Sequence, residues 1–175
     1  WVTAEGRIYL DFDKSAHTIP ADEWYHKGAD GNYDHPLRGE VLIATVGVDF
    51  GGNGSATAFN LSLITKGFNK VITAKERYYK KELTPAELNK HFIDFIKECK
   101  AEHPNLGEGY CDSAEQILIN GFKHEIVKNG LGISIKNAKK GEIIDRIRFY
   151  TTLHGQNRHL IVSNCTHTIE AFETA

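Results

Sequence analysis

Residues 46–58 read Val46-Gly47-Val48-Asp49-Phe50-Gly51-Gly52-Asn53-Gly54-Ser55-Ala56-Thr57-Ala58 and join two apolar runs through a glycine-rich connection. We predict a strand that ends on Asp49 and a second strand that begins near Thr57. Aspartate is depleted from strands because its short side chain competes for local backbone hydrogen bonds. A strand that ends on Asp and leads into glycines therefore places a carboxylate at a sheet edge beside accessible backbone, which suits metal binding. An aspartate that merely caps a tight hairpin is the structural alternative.

A second aspartate ends another short strand pattern. In Gly107-Glu108-Gly109-Tyr110-Cys111-Asp112-Ser113-Ala114-Glu115 a strand is expected to end on Asp112, and a helix follows. Asp112 or Ser113 could instead act as the N-cap of that helix. If the two strands are neighbours, Asp49 and Asp112 converge at one sheet edge, where carboxylates about 4 Å apart would repel by roughly 4 kcal/mol at an effective dielectric near 20. A proton on one of the carboxylates or a bound cation would offset this repulsion, and oxygen-only ligands favour Mg²⁺ or Mn²⁺.

Composition places the chain among ordinary globular proteins. Its 175 residues fit one domain, with 41% hydrophobic and 25% charged residues. The formal net charge of −2 provides no general basic field, so any surface for nucleic acid must be local. The sequence has neither an apolar run of about 18 residues nor a signal-peptide pattern, and we expect neither membrane insertion nor secretion. The cysteines Cys99, Cys111 and Cys165 lack C-x-x-C spacing and are expected to be reduced thiols.

The chain is predicted to begin irregularly and to become regular at Val41. Residues 1–40 are interpreted as a lead-in or linker segment that packs on the domain, with one short strand over 7–10. Three antiparallel strands are predicted next, over 41–50, 56–66 and 69–79. Helix–strand repeats follow them, and this order implies a mixed sheet with helices on both faces.

Two helix boundaries carry recognisable signals. Thr84-Pro85-Ala86-Glu87 combines an N-cap Thr, a Pro at the first helical position and a Glu three residues after the cap, which predicts a helix start. Gly130 is expected to end the helix predicted over 114–129. The histidines His154, His159 and His167 are expected on the surface or in polar contacts.

Four segments together carry a resemblance to a known family. They are Gly47-Val48-Asp49-Phe50-Gly51, Tyr110-Cys111-Asp112-Ser113-Ala114-Glu115, Lys139-Lys140-Gly141-Glu142-Ile143-Ile144-Asp145-Arg146-Ile147 and Val162-Ser163-Asn164-Cys165-Thr166-His167-Thr168-Ile169-Glu170. In this order they resemble the nuclease domain of tailed-bacteriophage terminase large subunits. The resemblance covers nearly the whole chain, and its Asp-Ser-Ala-Glu element is fairly specific. The opening Gly6-Arg7-Ile8-Tyr9 with Phe12-Asp13 is similar to the segment that joins the ATPase to the nuclease in that family.

The resemblance implies an α/β fold with an RNase H-like mixed five-stranded sheet, three antiparallel strands followed by parallel ones, over residues 41–175. It implies a DNA endonuclease that cuts concatemeric viral DNA during genome packaging, using two Mg²⁺ or Mn²⁺ ions and little sequence specificity. The implied partners are double-stranded DNA, the portal protein, the small terminase subunit and the terminase ATPase domain, in the cytoplasm of the infected bacterial host. The sequence contains no Gly-x-x-x-x-Gly-Lys-Ser/Thr phosphate loop, so the ATPase is expected to be absent from this chain.

The resemblance also assigns roles to acidic residues. Asp49 and Asp112 are the predicted catalytic metal ligands, with Asp49 expected to bridge the two ions. Glu115 is predicted to support these ligands without touching a metal, or simply to favour the helix dipole. The family supplies a third acid from a helix beyond the last strand, and the C-terminal part of the family domain is expected to be missing here. The internal substitutes for it are Asp145, Glu170 and Glu173.

Two groups of basic residues are candidates for holding DNA. The predicted phosphate contacts of the first group are Lys136, Lys139, Lys140, Arg146 and Arg148. The second group lies beside Tyr78 and Tyr79, has a solvated face as its structural alternative, and comprises Lys75, Arg77, Lys80 and Lys81. Phosphate contacts of this kind make binding fall steeply with added salt.

Two rival functions stay open. The domain could be an inactive docking module on an RNase H-like scaffold, since fold does not determine function, and a missing third acid favours this alternative. It could also be a structure-selective resolvase or exonuclease of the same fold, which would prefer branched DNA to linear duplex.

Overall fold

Seven strands and five α-helices occur in the part of the chain that the computed structural model describes, residues 8–51, 55–112, 115–139 and 143–174. The first half contains β1 (Thr18–Ile19), α1 (Ala21–Trp24), β2 (Val41–Asp49), β3 (Thr57–Thr65) and β4 (Val71–Tyr79). The second half contains α2 (Pro85–Glu102), β5 (Glu108–Cys111), α3 (Gln116–Lys128), β6 (Ser134–Asn137), α4 (Ile143–Gly155), β7 (His159–Val162) and α5 (Thr166–Thr174). Short 3-10 helices occupy Pro36–Glu40 and Lys66–Phe68.

The strands form one mixed sheet in the order β1-β7-β4-β3-β2-β5-β6. Short connections join β2 to β3 and β3 to β4, which only antiparallel neighbours allow. The pairs β2–β5, β5–β6, β4–β7 and β1–β7 are parallel. The mixed α/β architecture is as predicted, but the predicted count of five strands is wrong, because seven are present among the described residues. Strand β1 illustrates the reason: its two residues carry no periodic signal, and only pairing with β7 makes them a strand.

The chain divides into two compact units. The first comprises the described residues of Trp1–Leu42, Leu63–Lys75 and Lys140–Ala175, and the second comprises those of Ile43–Ser62 and Glu76–Lys139. In the second unit, Phe59 of β3 contacts Phe92 of α2 and Phe122 of α3. The rings of Phe92 and Phe122 stack with centroids 3.9 Å apart and planes within 6°. This aromatic cluster covers the buried face of β3 with α2 and α3.

The predicted start of α2 and the predicted end of α3 are confirmed by their caps. The Thr84 hydroxyl accepts a hydrogen bond from the Glu87 N–H at 3.2 Å, and the Glu87 carboxylate accepts one from the Thr84 N–H at 3.2 Å. At the end of α3, Gly130 has φ of 62°, the conformation that glycine adopts without a Cβ penalty. The Leu131 N–H then donates to the Ile126 carbonyl at 3.1 Å, which completes a Schellman motif.

In the first unit, the segment interpreted as an irregular lead-in supplies core side chains. Phe12, Ile19 and Trp24 are buried there, and Trp24 is 0% exposed. The Ile161 N–H of β7 donates to the His17 carbonyl at 2.8 Å, and the Ser163 N–H donates to the Ile19 carbonyl at 2.8 Å. This segment is therefore attached to the first unit both by apolar burial and by sheet hydrogen bonds.

All three cysteines are buried, and none of them forms a disulfide. Burial raises the pKa of the Cys111 thiol to about 12, so this group stays protonated and inert at neutral pH. No helix within the described ranges is both long enough and apolar enough to cross a membrane.

Candidate functional site

Two glycines shape the backbone on either side of Asp49. A β-carbon on Gly47 would lie 3.0 Å from Oδ1 of Asn60, so Gly47 leaves space for that side chain on β3. A β-carbon on Gly51 would collide with the backbone of Ser55 and would lie 2.6 Å from the carbonyl carbon of Ala56. The Gly51 N–H also donates to the Thr57 hydroxyl at 2.8 Å. The chain directly after Asp49 is thus folded tightly against the start of β3, and this holds Asp49 at the end of β2.

Asp49 and Asp112 occupy corresponding positions on neighbouring parallel strands. The β2–β5 register pairs Thr45 with Glu108 and ends with Val48 opposite Cys111; each aspartate is the next residue of its strand. Parallel neighbours lie about 4.8 Å apart, and paired residues point to the same face of the sheet. The buried residues Val48 and Cys111 point to one face, so the two aspartates project from the other. Asp49 is exposed and Asp112 is half-buried.

Asp112 does not cap the helix that follows it. Helix α3 begins at Gln116, and its N-cap position is occupied by Glu115, whose side chain makes no capping hydrogen bond. The alternative in which Asp112 is the N-cap of this helix is therefore wrong, because the helix begins at Gln116 and Glu115 occupies the N-cap position; Ser113 lies outside the described residues. The Gln116 amide instead donates to Oδ1 of Asn137 at 3.3 Å, which links the start of α3 to the end of β6.

The aspartate face of β5 carries a hydrogen-bonded ion pair. Lys136 of β6 contacts Oε1 of Glu108 at 2.8 Å, and the Tyr110 hydroxyl donates to the same carboxylate. These contacts, with that of Lys136 the stronger, lower the pKa of Glu108. The hydrogen bond and the negative charge raise the pKa of Lys136 in turn. Lys136, predicted as a DNA contact, is therefore a fully charged cation that is already paired in the free protein.

The other predicted DNA contacts are distributed over both units. The Ala138 N–H donates to the Cys111 carbonyl at 2.7 Å, so the exposed Lys139 follows a backbone anchored next to Asp112. Lys140 lies outside the described residues. Arg146 and Arg148 lie on α4 in the first unit, and both are exposed.

No third acid joins the pair within the described ranges. Of the proposed substitutes, Asp145 lies on α4 and both Glu170 and Glu173 lie on α5, all in the first unit. Among the described residues, no three side chains of His, Cys, Asp or Glu form a group that could hold a metal ion. The described part of the site therefore consists of two carboxylates, which provide oxygen donors alone.

A cleft of about 400 Å³ begins one residue beyond Asp49. It lies entirely within the second unit. Its lining comes from the ends of β2 and β4 and the starts of β3, α2 and α3, and comprises Phe50, Gly51, Ser55, Thr57, Lys80, Lys81, Glu82, Leu83, Leu88, Glu115 and Leu118. The sequence places Lys80 and Lys81 in the second candidate group for holding DNA; their position beside Glu115 depends on tertiary packing, which the sequence pattern does not show.

The comparison with known proteins rests on structure. No protein-family model matches the sequence, and no curated protein matches it either. The nuclease domain of the phage P22 large terminase aligns over 97% of this chain and 78% of its own, with a TM-score of 0.61 and 14% identity. That of the phage SPP1 large terminase, solved with bound Mn, aligns over 83% of this chain and 70% of its own, with a TM-score of 0.52 and 19% identity.

A herpesvirus domain shows the same likeness. The human cytomegalovirus terminase nuclease domain, soaked with Mn, aligns over 86% of this chain and 73% of its own, with a TM-score of 0.57 and 9% identity. The chain therefore has the fold of terminase nuclease domains, and the predicted resemblance is confirmed at the level of the fold.

Proposed function

We propose that this chain is a metal-dependent endonuclease that cuts viral DNA during genome packaging. The observation that carries the proposal is the pairing of β2 with β5, which places Asp49 and Asp112 at adjacent register positions in a fold shared with terminase nuclease domains. Two carboxylates at neighbouring positions repel one another, and a divalent cation is a direct way to offset that repulsion.

The donor chemistry fits Mg²⁺ or Mn²⁺. Asp49 and Asp112 provide only carboxylate oxygens, and no described histidine or cysteine joins them to favour a softer metal. When bound, two such ions would activate the attacking water and stabilise the leaving 3′ oxygen. The neighbouring structures with Mn²⁺ support this choice. In this assignment Asp49 and Asp112 would hold the ions, and the glycines beside Asp49 keep its carboxylate in position.

Substrate binding is assigned to phosphate contacts, which carry no sequence information. Lys139 lies at the end of the sheet that bears the aspartates, and Lys136 can release one of its donors from Glu108, since exposed ion pairs contribute little stability. Lys140, Arg146 and Arg148 complete the proposed set. The proposal therefore includes weak sequence preference and binding that falls with added salt.

The biological setting follows from the same likeness. As a terminase nuclease, the domain would act on concatemeric double-stranded DNA in the cytoplasm of the infected bacterium. The portal protein, the small terminase subunit and a terminase ATPase domain are its proposed partners. An inactive docking module and a structure-selective resolvase are the competing functions.

Supercoiled plasmid DNA provides the test. We expect the wild-type chain to nick and linearise plasmid with Mn²⁺ or Mg²⁺ and to leave it intact with EDTA. Asp49→Ala should slow cutting by roughly a hundredfold or more, because loss of a metal ligand costs more than loss of its hydrogen-bonding support. Asp49→Ala should keep its melting temperature or raise it slightly, since repulsion between the carboxylates is relieved.

A surface acid of the same unit serves as the matched control. Asp94 is exposed on α2 and pairs with Lys90 at 2.9 Å, and Asp94→Ala should cut plasmid at the wild-type rate. Intact plasmid in every lane would favour the docking module, and faster cutting of branched DNA than of linear duplex would favour the resolvase.

A further inference from the structure

The cleft beside Asp49 combines an apolar wall with a charged rim. Phe50, Leu83, Leu88 and Leu118 supply the apolar part of its lining. The rim carries the cations Lys80 and Lys81 and the acids Glu82 and Glu115. A concave site of this volume can hold a small organic group, and here charged and polar residues supply most of the lining.

The aromatic ring in the wall is firmly supported. Phe50 lies with its centroid 5.5 Å from that of Phe122, and Phe122 itself stacks on Phe92 and is 0% exposed. Phe50 is half-buried, so part of its ring is accessible from the cleft. A supported ring that remains accessible can stack against a nucleobase of any identity.

The two lysines of the rim differ in their contacts. Lys81 lies 3.4 Å from the Glu87 carboxylate, and that carboxylate also belongs to the cap of α2. Lys80 is exposed, and within the described part of the chain it makes no hydrogen bond or ion pair. Lys80 therefore lines the cleft together with Glu82 and Glu115 and forms no ion pair with either of them.

The cleft lies at the end of β2 that carries Asp49. Phe50 and Gly51 directly follow Asp49 along the chain and line the cleft, so the cleft opens at the same strand end as the carboxylate proposed to hold the scissile phosphate. A DNA strand held at that phosphate would pass this strand end with its adjacent nucleotide. This step depends on the proposed nuclease function.

We infer that the cleft binds the nucleotide next to the scissile phosphate in an unpaired conformation, with its base against Phe50 and its phosphate on Lys80. A base can enter such a pocket only after it leaves the duplex stack, as enzymes that flip bases require. The cleft would thus contribute both affinity for single-stranded DNA and local opening of the duplex at the cut.

Short oligonucleotides test base and phosphate contacts separately, without any cleavage. Binding is measured by fluorescence anisotropy in EDTA, using labelled oligothymidylate and an abasic oligonucleotide of equal length. The wild-type chain should bind oligothymidylate about tenfold more tightly than the abasic probe, the scale of one base–aromatic stack. Phe50→Leu keeps an apolar side chain of similar size against Phe122 and should abolish this difference. Lys80→Ala should lower the affinity for both probes by a similar factor, roughly threefold to tenfold.

Lys128→Ala is the matched control, because Lys128 is exposed on α3 and does not line the cleft. It should bind both probes like the wild type. Equal affinity of the wild type for the two probes, or unchanged binding by Phe50→Leu and Lys80→Ala together, would overturn the assignment. Because the measurement needs no metal, a chain that shows these effects and never cuts plasmid would support the cleft and refute the nuclease. A chain that cuts plasmid but binds the two probes equally would support the nuclease and refute the assignment of the cleft.

Discussion

At the scale of single residues, the position of Asp49 depends on the absence of a β-carbon at Gly47 and at Gly51. Gly47 makes room for Asn60, and Gly51 lets the backbone of Ser55 and Ala56 pass where a β-carbon would otherwise lie. The motif that resembles the terminase family therefore has a steric explanation in this chain. The Asp49 carboxylate is held at the end of β2 because the backbone packs closely at Gly51 and because Gly47 leaves space for the Asn60 side chain.

Gly51→Ala should destabilise the fold by about 1–3 kcal/mol, because the added methyl group meets backbone atoms that cannot rotate away. Urea denaturation gives the free energy of unfolding. Gly39→Ala is the control, since a β-carbon there has no atom within 4 Å, and its effect should stay within about 0.5 kcal/mol. Equal stability of the two variants would show that the loop after Asp49 relaxes freely.

At the scale of secondary-structure elements, helix termini are where local sequence was most informative. The capping box of α2 involves residues three positions apart, so its hydrogen bonds need nothing from the rest of the fold. The hydrogen bonds that end α3 at Gly130 also join residues only a few positions apart. The start of α3 is predicted at residue 114 but lies at Gln116, because Glu115 at the N-cap position makes no side-chain capping hydrogen bond that could mark the start locally.

Thr84→Ala should cost about 1 kcal/mol of stability, because the Glu87 N–H loses its side-chain acceptor at the start of α2. Thermal denaturation followed by circular dichroism measures the shift in melting temperature. Thr84→Ser keeps a hydroxyl at the N-cap and should unfold within a few tenths of a kcal/mol of the wild type. If the serine variant loses as much stability as the alanine variant, the stabilisation by Thr84 comes from its methyl group and not from the capping hydrogen bond.

At the scale of the whole molecule, the first unit has a buried group of histidines, and we expect the stability of the fold to depend on their protonation. Nε2 of His154 contacts Nδ1 of His159 at 2.9 Å, and Nε2 of His159 contacts the Thr73 hydroxyl at 3.0 Å. His17 stacks on His154 with centroids 5.3 Å apart. The expectation of polar contacts is confirmed for His154 and His159, both of which are also buried. Burial lowers the pKa of His154 to about 4 and that of His159 to about 3.

Stability should therefore fall as the pH falls from about 6.5 towards 4. The unfolded chain binds protons at these histidines below their ordinary pKa of about 6.5, whereas the folded protein binds them only near 4 and 3, so acid favours unfolding. His154→Gln keeps a polar side chain that cannot titrate and should reduce the slope of unfolding free energy against pH. His124→Gln, at an exposed position on α3, should leave the slope unchanged. Urea denaturation at several pH values measures the slopes, and equal slopes for all three proteins would contradict the histidine assignment.

The same division by scale separates what the sequence by itself determined from what the tertiary structure decided. Strand ends at Asp49 and near Asp112, the start of α2 and the end of α3 depend on neighbours within a few residues, and all could be predicted. The strand count could not, because a two-residue strand such as β1 exists only through its pairing with β7.

Tertiary structure alone decided which side chains meet across long separations. The register of β2 and β5 places Asp49 beside Asp112, and the cleft draws its lining from five elements. The histidine group likewise joins residues from β4, α4 and β7. These contacts depend on how entire strands and helices pack against one another. The free energy of that packing comes from the burial of apolar surface on many residues. No local pattern along the chain encodes it, whereas caps and strand ends are encoded by hydrogen bonds that close within a single turn.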